Sequence, residues 1–196
     1  VKIYLVFCHP LTDSFIAAAR DRALAGLSRA GHEVRVTDLY AEEFRPELSA
    51  WERTHHLDPP ETKPEIAEYA ENLQWCDALV LVYPTWWSGQ PAMLKGWIDR
   101  VWVAGVAYEL PPGGNRIRPL LHNIRRLVVI TTHGSSKWVN AAQGEGGKRV
   151  VTRSLRLLCN RLARTSWIAL YGIDRASERD RKRFLDRVER KMGSLR

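Results

Sequence analysis

The 196-residue chain has only three cysteines, and Cys8, Cys76 and Cys159 stand far apart with no Cys-x-x-Cys pair among them. That argues against a disulfide framework and a cysteine-based zinc site, and it leaves buried, reduced thiols as the expectation. His55 and His56 are adjacent in an irregular segment, where neighbouring side chains point apart, so no metal site is expected. No apolar run approaches the roughly 20 residues that a membrane-spanning helix needs. The opening VKIYLVF is too short and too β-rich for a secretory leader, so the protein is expected to be soluble and cytoplasmic, without membrane insertion. Signature loops are missing as well. No G-x-G-x-x-G follows a strand, and no G-x-S-x-G is present; GEGGK at 144–148 lacks the flanking residues of a phosphate loop, because Ala142 and Arg149 stand where Gly and Ser or Thr are required. There is no internal repeat and no linker, so residues 1–196 read as one domain. Acidic residues are scarce in one region: residues 116–196 hold 20 Lys and Arg against 6 Asp and Glu, whereas residues 1–115 hold 10 against 16. Such an imbalance fits a nucleic-acid or membrane-surface face, a steering field for a phosphorylated small molecule, or a solvated helical surface.

What is present alternates between β-branched runs and helical periodicities. KIYLVF (2–7) reads as a strand, followed by the polar loop CHPLTDS. A helix then sets Phe15, Ala19, Ala23 and Leu27 on one face, with Ser14 to cap it and Gly31 to end it. EVRVTDL (33–39) is a second strand. Residues 40–63 are irregular, with one short helix near LSAWERTHH. PEIAEYAENLQWC is helical and leads into DALVLVYP, an unbroken apolar run of the kind a strand covered on both faces requires. A helix is expected from about Ala92 to Val103, where Trp97, Val101 and Trp102 share a face that reads as core or dimer contact rather than substrate site, and this helix is assigned to a subunit interface. VAYELPPGGNRIRPLLHN reads as a hairpin excursion, RRLVVITTHG as a fourth strand, GKRVVTRSLRLLCNRL as a helix, SWIALYG as a fifth strand and ASERDRKRFLDRVERKM as a closing amphipathic helix.

Five strands alternating with helices predict an α/β fold, a doubly wound parallel sheet with helices on both faces. Right-handed crossovers make 2-1-3-4-5 the natural order, with a switch point between the first and third strands. Three loops then open at one carboxyl edge: CHPLTDSF, PTWWSGQP and TTHGSSKWVNAAQGEGG. Four of the chain's eight tryptophans lie within residues 83–102, and Trp86 and Trp87 sit in the loop itself. Thr12, Ser14 and the free amides of the first helix form an anion-binding corner, although simple capping is the preferred account of that loop taken alone. PTWWSG offers flat rings on a backbone stiffened by Pro84 and Pro91; TTHG adds hydroxyls, a histidine and a glycine opposite. A phosphate corner beside a planar slot at a switch point is what a flavin mononucleotide moiety needs.

These segments resemble one known family. VFCHPLTDSF, PTWWSGQPAMLKGWIDRV, TTHGS and GVAYEL match, over about residues 2–170, the motifs of the NAD(P)H quinone oxidoreductases of the DT-diaphorase group. The resemblance implies a flavodoxin-like fold and a homodimer. It further implies bound FAD, with FMN as the alternative, that passes hydride from NAD(P)H to a quinone or similar small-molecule acceptor; nucleic acid is not expected as a partner. Carried over by position, His9, Thr12, Ser14 and Phe15 would bind the flavin phosphates and ribityl region. Pro84, Thr85, Trp86 and Trp87 would line the ring system, and Thr131, Thr132, His133 and Gly134 would hold its other edge. Family members carry a Tyr and a His further along the third loop; here Trp138 stands near the Tyr position and is counted with the flavin-binding residues, and no side chain is assigned a catalytic role. The family's first Gly in that loop is His133 here, and Ser88 replaces a frequent aromatic, which would open the pocket. The same departures fit an alternative, a flavin-binding ancillary subunit of an ion-efflux system, associated peripherally with a transporter and with little turnover.

Overall fold

The computed structural model describes residues 1–196. A five-stranded sheet runs in the order β2-β1-β3-β6-β7, with β1 at Lys2–Phe7, β2 at Glu33–Asp38, β3 at Ala78–Pro84, β6 at Arg126–His133 and β7 at Arg164–Tyr171. Every pairing in it is parallel. This is the expected order, with β4 (Tyr108–Glu109) and β5 (Arg118–Pro119) forming the anticipated antiparallel excursion outside the sheet. All seven residues of β3 are buried, as its unbroken apolar run requires, whereas the edge strands β2 and β7 are half exposed.

Alternation along the strands divides the core in two. Ile3, Leu5, Phe7, Val80, Val82 and Val128 face α1 (Phe15–Arg29) and α7 (Glu178–Gly193). Tyr4, Val6, Leu79, Leu81, Leu127 and Val129 face the opposite layer, built from α3 (Ala67–Trp75), α4 (Ala92–Val101) and the helical segment 146–158. Ser14 caps α1 by accepting from the Ala17 amide, and Gly31, with φ +71°, turns the chain out of the helix as expected. A short helix, α2 (Ala50–Thr54), begins at Ser49 with a reciprocal capping box to Glu52.

Trp97, Val101 and Trp102 take the core reading: they are buried in this chain's own core, where the Trp97 ring lies edge-on to Tyr4 and Trp102. The outward face of α4 carries Ala92, Lys95 and Asp99 instead. The third carboxyl-edge loop is not wholly irregular: Ser136 caps a short helix, α5 (Lys137–Ala142), within it. The helix expected over 147–162 is broken into α6 (Gly146–Arg149), a wider π turn over Val150–Ser154 and a tighter turn over Leu155–Leu158. Its run of β-branched residues, Val150, Val151 and Thr152, is a poor helix former, and the packing of Val151 and Leu155 into the core dictates the path.

Cys8, Cys76 and Cys159 are buried and unpaired, and burial pushes each thiol up to about 12. No helix is long and apolar enough to cross a membrane.

Candidate functional site

The loop after β3 is a two-residue hairpin. The Thr85 amide donates to the Thr132 carbonyl at 2.8 Å, extending the β3–β6 ladder by one bond beyond Pro84. Trp86 and Gly89 then exchange backbone hydrogen bonds of 3.2 and 3.0 Å. Between them Trp87 (φ +48°) and Ser88 (φ +60°) both occupy the left-handed region. Turns of this kind are normally made by Asn-Gly, and each residue with a Cβ held there costs on the order of 1–2 kcal/mol. The third loop holds the strain in place. Ser88 Oγ donates to Gln143 Oε1 at 2.6 Å, the Gly147 amide donates to the Ser88 carbonyl at 2.8 Å, and Gln90 Nε2 donates to the Gly147 carbonyl at 2.8 Å. The Trp87 side chain is fully exposed at the tip, so its ring gives the isolated chain no burial energy. The amides of Trp87 and Ser88 have no acceptor within the chain. A strained turn that presents an exposed aromatic ring and two free donors is a feature that folding alone does not require.

Opposite the hairpin, β6 ends in a polar relay. Thr131 Oγ1 lies 2.9 Å from Thr85 Oγ1, which lies 3.4 Å from His133 Nε2; His133 Nδ1 lies 2.7 Å from Asn140 Oδ1. Asn140, on α5, is itself oriented, because its Nδ2 donates to the carbonyls of Ser135 (3.3 Å) and Ser136 (2.8 Å). Its Oδ1 must therefore accept, and His133 must carry its proton on Nδ1 and leave Nε2 bare. The imidazole stacks on the Tyr171 ring with centroids 4.4 Å apart. Burial lowers the His133 pKa below the ordinary histidine value; the Asn140 hydrogen bond and the Glu145 carboxylate oppose that shift. The ring is therefore neutral at pH 7.

The first loop makes a corner of unpaired donors. Ser14 donates its hydroxyl to the Leu11 carbonyl at 2.9 Å, the Leu11 amide reaches His9 Nδ1 at 3.1 Å, and the His9 ring lies 6.0 Å from that of Trp86. The amides of Thr12, Asp13, Ser14, Phe15 and Ile16 have no acceptor in the chain, and the first turn of α1 has no acidic side chain to occupy them. Unsatisfied amides at the start of a 15-residue helix favour an anion.

Between the second and third loops lies a crevice of about 510 Å³, lined by Pro84, Thr85, Trp86, Trp87 and Ser88 on one side and Thr132, His133 and Gly134 on the other. Ser135, Asn140, Gln143, Ile173 and Asp174 complete it. The carried-over positions thus divide. Pro84, Thr85, Trp86, Trp87, Thr132, His133 and Gly134 meet in the crevice; His9, Thr12 and Ser14 form the adjoining corner. Thr131 is wholly buried and supports Thr85 from beneath. Phe15 packs on Phe184 of α7 at 5.9 Å, beneath the Arg181 guanidinium, so its side chain serves the α1–α7 contact. Trp138 is exposed on α5 and does not line the crevice.

Asn140, Gln143 and Asp174 went unnoticed in the sequence. A cue existed for the first two: Ser136 followed by KWVNAA is a capped helical turn, which places Asn140 and Gln143 near one another along α5. Asp174 follows β7 in a loop with no motif, and only the fold brings it to Gly134.

Residues 1–192 match the profile of a family described as having a flavodoxin-like fold. A ribosyldihydronicotinamide dehydrogenase [quinone] from Pongo abelii is 30% identical over 152 residues, which is 69% of this chain and 65% of that protein. The chain spans less than two thirds of the length of this and other curated relatives that it matches. Among solved structures, Smu.1420 from Streptococcus mutans superposes with a TM-score of 0.86 at 29% identity, over 100% of both chains. An NAD(P)H:quinone oxidoreductase from Methanothermobacter marburgensis superposes with a TM-score of 0.81 at 29% identity, over 99% of this chain and 96% of that one.

Proposed function

The chain belongs to the flavodoxin-like fold family, and from that membership and the crevice we propose that it is a flavin-dependent NAD(P)H oxidoreductase that passes hydride to a quinone or a similar acceptor. The observation that carries the reading is the strained Trp87–Ser88 turn, which sets two unpaired amides and an indole ring beside the crevice and opposite His133. The residues present fit a flavin. The hairpin amides suit the acceptor atoms along the edge of a planar heterocycle, and the free amides of Thr12 to Ile16 suit a phosphate. A bound flavin supplies the hydride chemistry itself, by accepting a hydride from NAD(P)H and donating it to the second substrate.

The chain's own residues orient and support that group. Thr131 fixes the Thr85 hydroxyl, Gln143 and Gly147 brace the hairpin, and Ser14 holds the phosphate corner in its capped form. Ser88 carries no ring over the crevice, which leaves room for bulky acceptors. The same reading takes FAD as the flavin, with FMN as the alternative, a homodimer as the working form, residues 1–196 as one domain and the cytoplasm as the compartment. Three buried, unpaired thiols suit reducing surroundings. The relatives named above include a dehydrogenase and an oxidoreductase, which favours turnover over the ancillary-subunit alternative.

The test is an absorbance spectrum of the purified protein before and after anaerobic addition of NADPH or NADH, with the released cofactor identified by mass. The expected result is a flavin band that bleaches in proportion to the nucleotide added. A protein that binds no flavin when it is supplied would overturn the reading.

A further inference from the structure

Reduction of a quinone by NAD(P)H transfers one hydride and consumes one proton, and a flavin conveys only the hydride. The proton needs a holder within reach of the acceptor's oxygen. The crevice contains one side chain whose geometry suits that task, at a position where the resembled family has glycine. His133 is held at Nδ1, which donates to Asn140 Oδ1 at 2.7 Å, while Nε2, left bare, faces Thr85 Oγ1 at 3.4 Å on the crevice wall. That second contact is long for a hydrogen bond, so Nε2 is not firmly committed to Thr85. The ring cannot swing away, because it is stacked on Tyr171 and nearly wholly buried.

Resting on the flavin-reductase reading, we infer that His133 is the proton-holding residue of this crevice, taking a proton on Nε2 and delivering it to the acceptor's oxygen. The bookkeeping closes. A reduced flavin held here would bring negative charge into the crevice, and His133 Nε2 would then bind a proton from solvent through the open side. When the acceptor takes the hydride, the Nε2–H bond breaks and an O–H bond forms on the acceptor, which leaves the imidazole neutral as before. Asn140 remains hydrogen-bonded at Nδ1 throughout, so the proton moves at Nε2 alone. At rest, burial disfavours the protonated ring. Glu145 favours the protonated ring and Lys148 opposes it, while those two are themselves paired at 2.8 Å. Tyr171 from β7 is an un-ionised phenol whose pKa burial raises further, and Asp174 closes the crevice from the loop after β7. Against that burial, the negative charge of a reduced flavin would be what favours a proton on Nε2. Trp138, by contrast, is exposed and can only donate, so it cannot replace a proton carrier.

The test counts protons. The flavin-loaded protein is reduced anaerobically with stoichiometric NAD(P)H in weakly buffered solution at pH 7.5 with an indicator dye. About one proton is expected to be taken up per flavin reduced, against a clearly smaller uptake for His133→Gln, since His133 is the histidine that lines the crevice. A second measurement needs no variant: the nitrogen resonances of His133 in the natural protein are expected to show a bare Nε2 in the oxidised and flavin-free forms and a protonated Nε2 after reduction. Reduced flavin with equal uptake in both proteins, or an Nε2 that stays bare, overturns this inference and leaves the reductase reading intact. Flavin that binds but stays oxidised overturns the reductase reading, and this inference with it.

Discussion

Gly147 donates its backbone N–H to the Ser88 carbonyl at 2.8 Å, and so couples the third loop to the tip of the strained hairpin. The approach leaves no room for a side chain: a Cβ on Gly147 would stand 2.9 Å from Gly89 Cα and 3.0 Å from the Ser88 oxygen. Both neighbours are backbone and cannot rotate aside. Gly147→Ala is expected to push the hairpin off α6, lowering stability by about 1–3 kcal/mol through overpacking. Flavin affinity is expected to fall at least tenfold, since the Trp87 and Ser88 amides move with the turn. Thermal melting and a fluorescence titration with FAD check the two effects separately.

Trp87 separates folding from function most cleanly. Its ring is fully exposed and its backbone is left-handed, so replacement by glycine removes no packing and relieves strain of about 1–2 kcal/mol, partly offset by the greater freedom of glycine in the unfolded chain. Trp87→Gly is therefore expected to melt at or slightly above the natural protein's temperature while its steady-state quinone reduction falls at least tenfold. A marked loss of stability would show instead that the indole packs against a second subunit.

The sheet was legible because its signals are periodic. The seven buried residues of β3 and the caps at Ser14 and Gly31 need only local physics to be recognised. The motif residues of the crevice could be placed from the resemblance alone. The relay could not. Asn140 matters because its amide is oriented by two carbonyls and meets His133 across a turn, a three-dimensional fact with no fixed spacing. Trp97, Val101 and Trp102 leave core and dimer contact open for a related reason: an apolar helix stripe has the same pattern whether it faces its own sheet or a partner, and only the packed structure decides.

Arg100 anchors α4 from within. It is buried, and it pairs with Glu52 and Glu65 at 2.7 Å each while donating to the Arg45 carbonyl. Burial alone would raise the Glu52 pKa, but the Ser49 amide and Arg100 outweigh it and hold the carboxyl below its ordinary value. A carboxyl whose pKa is lower in the folded state contributes stability above the unfolded value of about 4.3, and that contribution is lost as the pH falls through the folded value. Arg100→Met leaves the half-buried Glu52 with only its Ser49 cap as partner and is expected to cost about 1–3 kcal/mol at pH 7. Because Glu52 becomes protonated in acid, the gap between variant and natural protein should narrow at pH 4. Urea midpoints at the two pH values, with Glu52→Gln/Arg100→Met recovering part of the loss at pH 7, provide the check.

The corner at the start of α1 has two explanations that one pair of substitutions separates. Ser14 caps the helix at Ala17 and also donates to Leu11, so Ser14→Ala is expected to cost about 1 kcal/mol of stability with or without ligand. Thr12 is exposed and its hydroxyl has no partner in the chain, so Thr12→Ala should leave the melting temperature of the flavin-free protein unchanged. If the free amides beside it bind the flavin phosphates, that hydroxyl is placed to add one further donor, and Thr12→Ala should weaken flavin binding at least tenfold, from the about 1.5–3 kcal/mol of one hydrogen bond to a charged group. Riboflavin, which has no phosphate, should bind both proteins equally. A Thr12→Ala protein that binds FAD or FMN as tightly as the natural one would reduce Thr12 to a loop residue and leave anion binding to the helix amides alone.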